Sequence, residues 1–184
     1  MINFNGVLTD KSDFITPSNR ALLYGDAVFE TFKVVDNKIL FLEDHYFRLM
    51  SSMRILRMKI PMNFTLEYLE EQIISLALKS NIANNARVRM TVFRKDGGLY
   101  APETNEVSFI ITAKENLSRE YLLKKENYEV ELFKDFHVSK HLISSLKTTN
   151  KIIQVVASVF AKENGFDDCI LINDEKNVVE TISG

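Results

Sequence analysis

Lys147 is the strongest candidate for a reactive residue, because it lies just before a segment with the pattern of a long amphipathic helix. The apolar positions of one helical face are Ile152, Ile153, Val156, Val159 and Phe160. The cluster Thr148–Asn150 offers several N-cap candidates, which would place Lys147 near the helix start. There the partial positive charge of unpaired N–H groups favours a neutral amine, the form that attacks a carbonyl carbon to give a Schiff base. A solvated surface lysine is the alternative interpretation.

A carboxylate near the end of the chain is the second candidate. If the segment VVETIS is a strand, Val178, Glu180 and Ile182 share one face, so the carboxylate lies between two branched apolar neighbours. Such a group needs a partner, which a protonated ring nitrogen of a cofactor or an arginine would provide. A solvent-facing glutamate on an edge strand is the alternative.

Several arginines have the geometry to bind anions. Arg48 lies in the helical segment DHYFRLMSSMRIL, and its planar guanidinium suits bidentate capture of phosphate or carboxylate. Arg87 and Arg89 share one strand face and would form a cationic wall against an anionic substrate. Solvated surface charge is the alternative for all three.

Other kinds of site are not indicated. The histidines lack metal-site spacing and have no clustered acidic or cysteine ligands, so we predict no catalytic metal. The pair Gly97-Gly98 and the isolated Gly25 do not make a dinucleotide or Walker motif. No Gly-x-Ser-x-Gly sequence supports a serine nucleophile.

Composition places the chain among ordinary globular proteins. Of its 184 residues, 46% are hydrophobic and 26% charged, and the formal net charge of -2 argues against a nucleic-acid partner. The N-terminus has no signal-peptide pattern and no apolar run approaches about 20 residues, so we predict no membrane association and a cytoplasmic location. The single cysteine, Cys169, is predicted to be buried in the run DDCILIND.

Periodicity divides the chain into strands and helices in mixed order. Hairpins are predicted from Tyr24 to Leu42 around the turn Asp36-Asn37, and from CILIN to VVETIS around Asp174–Asn177. The predicted helices are FLEDHYFRLMSSMRILRMKI, with Phe47, Met50 and Met53 on its apolar face, and FTLEYLEEQIISLALKSN. Further strands are predicted in ARVRMTVFR and VSFIITAK. This order predicts an α+β fold rather than a doubly wound parallel sheet.

The stretch from Lys114 to Asn127 is charged and helix-compatible, which is typical of a connection between domains. Beyond it too few residues remain for a second unit to bury its own core comfortably. We therefore expect that part of a domain is missing or is supplied by another chain.

Four sequence blocks in order resemble the class IV aminotransferases, the pyridoxal-phosphate family of branched-chain aminotransferases, D-amino acid aminotransferases and aminodeoxychorismate lyases. The blocks are LLYGDAVFETF from Leu22, DHYFRL from Asp44, SSLKTTNKIIQ from Ser144 and VVETISG from Val178. The resemblance implies a two-domain D-amino acid aminotransferase-like fold with an incomplete second domain. Residues 1–116 would form an N-terminal α/β sandwich domain. Residues 117–184 would form a connector and the first part of the cofactor-binding C-terminal domain.

The same resemblance implies roles for individual residues and a homodimeric enzyme. Lys147 would be the Schiff-base lysine and proton shuttle, Glu180 the partner of the pyridinium nitrogen, and Arg48 a ligand of the cofactor phosphate. Hydrogen bonds to the cofactor are expected from Thr181 and Ser183.

Within the family, three local features of the sequence favour the lyase type. Thr31 in FETF resembles the lyases and the D-amino acid enzymes more than the branched-chain enzymes, and the loop GGLYAP from Gly97 and the pair Asn150-Lys151 resemble lyase-like relatives. This subtype would eliminate pyruvate from aminodeoxychorismate to leave 4-aminobenzoate for folate synthesis. The alternatives are a branched-chain or D-amino acid aminotransferase acting on an amino acid, or a truncated non-catalytic fragment. The candidate substrate-binding residues are Tyr24, Thr31 and Arg89.

Overall fold

A computed structural model describes residues 1–11, 13–116, 118, 120 and 127–182. Ser183, one of the predicted cofactor ligands, lies outside the described residues, as does most of the stretch expected to connect two domains. The chain divides into two compact units. The first comprises Met1–Tyr121 with Lys147–Thr149, and the second comprises Leu122–Leu146 with Asn150–Gly184. The boundary between residues 116 and 117, and the role assigned to the second part, remain predictions.

Within the described residues of the first unit, six strands form one antiparallel sheet of order β2-β1-β6-β5-β3-β4. In chain order the elements of this unit are β1 (Ile2–Phe4), β2 (Val7–Thr9), α1 (Arg20–Tyr24), β3 (Ala27–Val35), β4 (Lys38–Ile39), α2 (Leu42–Ile55), α3 (Leu66–Lys79), β5 (Asn85–Arg94) and β6 (Val107–Glu115). The long central strands β3 and β5 pair along their whole length.

The predicted first hairpin is confirmed, although its second strand is shorter than expected. Val34 pairs with Ile39, and the turn residues Asp36 and Asn37 have φ angles of 48° and 63°, the left-handed conformation that a tight two-residue hairpin turn requires. The strand ends early because Phe41 takes a φ of 55° and the helix α2 begins at the next residue.

The core of the first unit lies between the sheet and the helices α2 and α3. Alternate residues of β3 and β5 are buried on the face that the helices cover, and α3 contributes a buried face as predicted. Thr65 caps α3 by accepting a hydrogen bond from the Tyr68 amide. One position of the α2 prediction is wrong, because Phe47 is 64% exposed. Leu49 packs into the core beside Met50 and Met53 instead, since the buried face of α2 is rotated by part of a turn.

In the second unit, three strands of the described part form a sheet of order β7-β8-β9, in which β7 and β8 are parallel and β8 and β9 antiparallel. The elements are β7 (Val130–Leu132), a short 3₁₀ helix (Leu142–Ser145), α4 (Ile152–Asn164), β8 (Asp168–Ile172) and β9 (Val178–Thr181). Strands β8 and β9 form the second predicted hairpin. Cys169 of β8 is fully buried, which confirms its prediction.

The start of α4 differs from the prediction. Its N-cap residue is Lys151, and within the described part no side-chain hydrogen bond caps it, so the Thr148–Asn150 cluster does not cap the helix. Three positions of the predicted apolar face, Ile153, Val156 and Phe160, pack against the core of the second unit. The other two, Ile152 and Val159, are at least half exposed, and Ala157 and Ala161 are buried instead.

The described residues contain neither a membrane-spanning helix nor a metal-binding cluster. Among them, no helix is both long and apolar enough to cross a bilayer. No three His, Cys, Asp or Glu side chains of that same part cluster as a metal ion would require.

Candidate functional site

Lys147 lies beside strand β3, in a short extended segment that belongs to the first unit. The Phe29 amide donates to the Lys147 carbonyl at 2.8 Å, and the Thr149 amide donates to the Ala27 carbonyl at 3.1 Å. Thr148 forms an isolated antiparallel bridge with Val28 between these two bonds. Lys147 is therefore held by backbone pairing with a strand and is not a residue of the α4 cap. The helix-dipole argument for its reactivity is not supported.

The Lys147 side chain contacts an aromatic ring that also carries a second cation. Its Nζ lies 5.0 Å from the centroid of the Phe29 ring, and the Arg89 guanidinium carbon lies 3.6 Å from the same centroid. Both distances are those of cation–π contacts. Burial, and to a smaller extent the charge of Arg87, lowers the pKa of Arg89, which remains a cation. The structure thus brings two of the predicted site residues, Lys147 and Arg89, to one ring.

Thr31 joins Arg89 on this face of the sheet. The two residues are direct partners across β3 and β5, and the Arg89 Nε donates to the Thr91 hydroxyl at 3.3 Å. The Thr31 Oγ1 atom is buried and has no hydrogen-bond partner among the described residues. A buried hydroxyl without a partner is unfavourable by about 1–3 kcal/mol, so a bound polar group would satisfy it.

Arg48 lies on α2 and contacts the opposite, helix-covered face of the sheet. Its Nε and Nη2 donate to the two carboxylate oxygens of Glu30 at 2.5 and 2.6 Å. The Nδ1 atom of His45 lies 2.8 Å from the second of these oxygens. The Arg48 Nη1 atom makes no hydrogen bond to any described residue, and half of the side chain is exposed.

Tyr24 ends α1 next to a loop that is fixed by buried charges. Its ring lies 5.6 Å from the ring of Tyr100 and 5.0 Å from the guanidinium carbon of Arg20. The Arg20 Nη1 donates to the carbonyls of Gly97 and Leu99 at 3.1 and 2.5 Å. The loop carbonyls therefore turn inward while the Leu99 and Tyr100 side chains stay exposed.

Asp26 links this loop anchor to strand β5. Its Oδ2 atom accepts from the Nε atoms of both Arg20 and Arg94, each at 2.9 Å. Arg94 also donates to the Leu56 carbonyl at 2.8 Å. The sequence alone did not indicate a role for Arg20, Asp26 or Glu30. The available signal was their charge inside otherwise apolar segments, such as Glu30 within AVFETF.

Glu180 and Thr181 are neighbours on β9 in the second unit. Glu180 pairs with Leu171 and Thr181 with Ile170, and both are half-buried. The Gln154 Nε2 donates to the Glu180 carboxylate at 2.6 Å, which fixes its orientation. Glu180 also lines a cavity of about 730 Å³. The other residues that line this cavity are Val138, Ser139, Lys140, His141, Leu142, Ser144, Ser145, Asn173 and Val179.

Comparisons with known proteins show what the whole chain is similar to. A curated Methanocaldococcus jannaschii protein, provisionally named a branched-chain-amino-acid aminotransferase, is 26% identical over 186 residues, which is 97% of this chain and 62% of that protein. A solved Thermoproteus uzoniensis branched-chain aminotransferase with norvaline superposes with a TM-score of 0.83 at 22% identity, covering 98% of this chain and 62% of that one. A Legionella pneumophila structure, provisionally named a 4-amino-4-deoxychorismate lyase, superposes with a TM-score of 0.80 at 22% sequence identity. The match covers 94% of this chain and 62% of that one.

The chain therefore spans about 62% of the length of these relatives. The structural similarities confirm the predicted α+β, aminotransferase-like fold. The sequence profile of the family described as Amino-transferase class IV matches residues 27–184, most of the chain. The chain belongs to the class IV aminotransferases, a family of enzymes that use pyridoxal phosphate, as predicted.

Proposed function

We propose that this chain supplies the cofactor-binding residues of a pyridoxal-phosphate-dependent enzyme. Lys147 carries the cofactor, Arg48 binds its phosphate, and Glu180 pairs with its ring nitrogen, with Thr181 and Ser183 as further ligands. The observation that carries the proposal is the position of Lys147, whose backbone pairs with β3 and whose amine lies at the Phe29 ring.

The residues present fit the chemistry of this cofactor. Pyridoxal phosphate offers a carbonyl carbon, a phosphate dianion and a ring nitrogen. The first unit provides an amine in Lys147 and, in Arg48, a guanidinium whose Nη1 is available to an anion. The second unit provides the Glu180 carboxylate at the wall of a cavity. By chemistry alone, each of the three cofactor groups thus has a matching residue, while the structure shows Lys147 and Arg48 against opposite faces of the sheet.

The roles of the residues follow from this fit. Bound pyridoxal phosphate supplies an electron sink for negative charge at the substrate Cα. The Lys147 amine moves the proton at that carbon as a general base and acid. The carboxylate of Glu180, oriented by Gln154, holds a proton at the ring nitrogen. Arg48 holds the phosphate by charge-assisted hydrogen bonds.

The aminodeoxychorismate lyase subtype is our preferred assignment, with pyruvate elimination and 4-aminobenzoate as product. The buried, unpartnered Thr31 hydroxyl supports it, because a pocket for a purely apolar side chain gains nothing from such a group. Arg89 directly across from Thr31 suits an anionic substrate, and Tyr24 completes the proposed set. A branched-chain aminotransferase is the second candidate, favoured by the names of two relatives.

Cofactor binding and subtype can be tested on one preparation. Pyridoxal phosphate should give a visible absorption band, and borohydride followed by peptide mass mapping should place the cofactor on Lys147 and leave the Lys147→Ala variant unlabelled. The loaded protein is then assayed for 4-aminobenzoate release and for keto-acid-dependent amine transfer. Equal labelling of Lys147→Ala refutes the assignment, and absence of any band favours the non-catalytic alternative.

We also propose a homodimer that works in the cytoplasm. Exposed apolar side chains of α1 and the Gly97–Tyr100 loop support the dimer, because an exposed apolar patch is typical of an interface. These side chains are Leu22, Leu23, Leu99 and Tyr100. The buried, unpaired Cys169 needs no oxidising compartment, in keeping with the proposed location. Sedimentation analysis of the purified chain measures its oligomeric state.

A further inference from the structure

The pair formed by Glu30 and Arg48 is asymmetric in its exposure. The Glu30 side chain is 1% exposed, whereas that of Arg48 is 50% exposed. Half exposure spares the Arg48 guanidinium part of the desolvation cost that full burial of the pair would impose. The guanidinium therefore has one edge held by the protein and another edge turned outward.

The inner edge is held by two parallel hydrogen bonds. Glu30 receives the Nε–H and an Nη2–H of Arg48, two of the five N–H groups of the guanidinium, which fixes the plane of the group as well as its position. Three N–H groups remain: the second on Nη2, which lies 3.1 Å from His45 Nδ1, and both on Nη1, which make no hydrogen bond to the described residues. The two Nη1–H groups are therefore donors left for an external anion.

His45 braces the same carboxylate. Its Nδ1 lies 2.8 Å from Glu30 Oε2 and 3.1 Å from Arg48 Nη2, and the shorter contact to a carboxylate identifies Nδ1 as the donor to Glu30. His45 and Arg48 are three residues apart on α2, so they share a helix face above β3. The His45 ring also packs 4.8 Å from the ring of Phe32.

The electrostatics keep this carboxylate charged. Burial by itself raises the pKa of Glu30, but the hydrogen bonds and charges of Arg48 and His45 outweigh burial and leave that pKa below its ordinary value. Glu30 in turn raises the pKa of Arg48. The Glu30 carboxylate therefore stays ionised at neutral pH and keeps its hydrogen bonds to the Arg48 guanidinium.

We infer that Glu30, which His45 holds by a hydrogen bond, is a positioning residue that orients Nη1 of Arg48 towards a phosphate group. The inference rests on the proposed phosphate role of Arg48. Loss of the Glu30 charge frees the guanidinium to rotate. The entropy cost of ordering the Arg48 side chain then reduces the binding free energy of an anion. Removing the group that orients a ligand-binding side chain lowers affinity by about 10- to 100-fold in metal sites, which sets the expected scale.

Arginine labelling with inorganic phosphate as the probe tests this inference without requiring the cofactor. Phenylglyoxal modification of Arg48, followed by peptide mass spectrometry, is measured against phosphate concentration in wild-type protein and in Glu30→Gln. We expect the phosphate concentration for half-protection to rise about tenfold in Glu30→Gln. The matched control is Glu106→Gln, which loses exposed ion pairs to Lys59 and Lys95. In this variant the phosphate concentration for half-protection of Arg48 should stay within about twofold of the wild-type value.

A second variant covers the case in which Glu30→Gln does not fold. His45→Phe keeps an aromatic ring beside Phe32 but removes the third hydrogen bond to Glu30, and we expect an intermediate loss of protection. The inference is overturned if phosphate fails to protect Arg48 in the wild-type chain, or if Glu30→Gln is protected at the wild-type concentration. Borohydride labelling of Lys147 on the same samples tests the proposed function separately, because it can fail while Arg48 protection remains.

Discussion

Asp26→Asn is a substitution with a large predicted effect on the stability of the first unit. One oxygen of Asp26 accepts the Nε–H groups of both Arg20 and Arg94 at 2.9 Å. The side chains of the two arginines are only 4% and 7% exposed, and that of Asp26 is 15% exposed. Removal of the carboxylate charge therefore leaves two buried guanidinium groups without their shared counter-charge.

The expected magnitude follows from this burial. Removal of one partner of a buried ion pair costs about 3–5 kcal/mol, because the remaining charge is uncompensated. Asparagine retains an amide oxygen that accepts a hydrogen bond, so we expect the lower end, about 3 kcal/mol. For a chain of this length each kcal/mol shifts the melting temperature by about 2–4 °C, which gives a fall of roughly 6–12 °C.

Thermal unfolding followed by circular dichroism measures the shift, and hydrogen exchange of amides in β3 and β5 assigns it to the first unit. Glu106→Gln is the control, because it removes the same charge from a glutamate whose side chain is 48% exposed and paired with two lysines. We expect the control to melt close to the wild-type temperature. Equal shifts for the two variants would refute the argument that burial of the Asp26 cluster makes its charge important.

Two further predictions concern titratable groups. The folded-state pKa of Glu30 lies below its ordinary value of 4.5, so its contribution to stability is complete above that value and is lost as the pH falls through the lower, folded-state pKa. Denaturant midpoints measured between about pH 3 and 6 should therefore fall on acidification more steeply for wild type than for Glu30→Gln, and parallel curves would contradict this. Cys169 is fully buried, and burial, together with Asp168 and Glu131, raises the pKa of its thiol. A disulfide reagent should modify Cys169 at least about 100-fold more slowly in native than in urea-unfolded protein, and similar rates would place the thiol outside the core.

Much of the fold could be predicted because its signals are local. The turn Asp36-Asn37 lies between β-branched and aromatic runs, and both residues take the positive φ angles that such turns need. Helix α3 combines a capping threonine with a clear apolar period. Local propensity and tertiary packing agree at these positions, so sequence patterns were sufficient.

The start of α4 shows where local signals fail. The polar cluster Thr148–Asn150 has the composition of a helix cap, but backbone pairing with β3 takes Thr148 and Thr149 out of the cap. The strand edge is far away in sequence, with Thr148 lying 120 positions beyond Val28. A hydrogen bond between distant segments overrides a capping preference of about 1 kcal/mol, and no window around Lys147 contains that information.

The residues of the candidate site could likewise be predicted in part, whereas their contacts could not. Lys147, Arg48 and Glu180 were predicted from motifs, yet what each contacts depends on residues remote in sequence, such as Phe29 for Lys147 and Gln154 for Glu180. Glu30 is the clearest example. In AVFETF, Glu30 lies between two apolar residues of the strand face that α2 covers, Val28 and Phe32. A carboxylate in that position is unfavourable unless it is paired. That unfavourable burial is itself informative, because it requires a cation on the covering element, and Arg48 on α2 meets this requirement while keeping one edge for an anion. The buried acid in β3 therefore indicates a basic partner on the element that covers it, and that partner is Arg48, 18 positions along the chain.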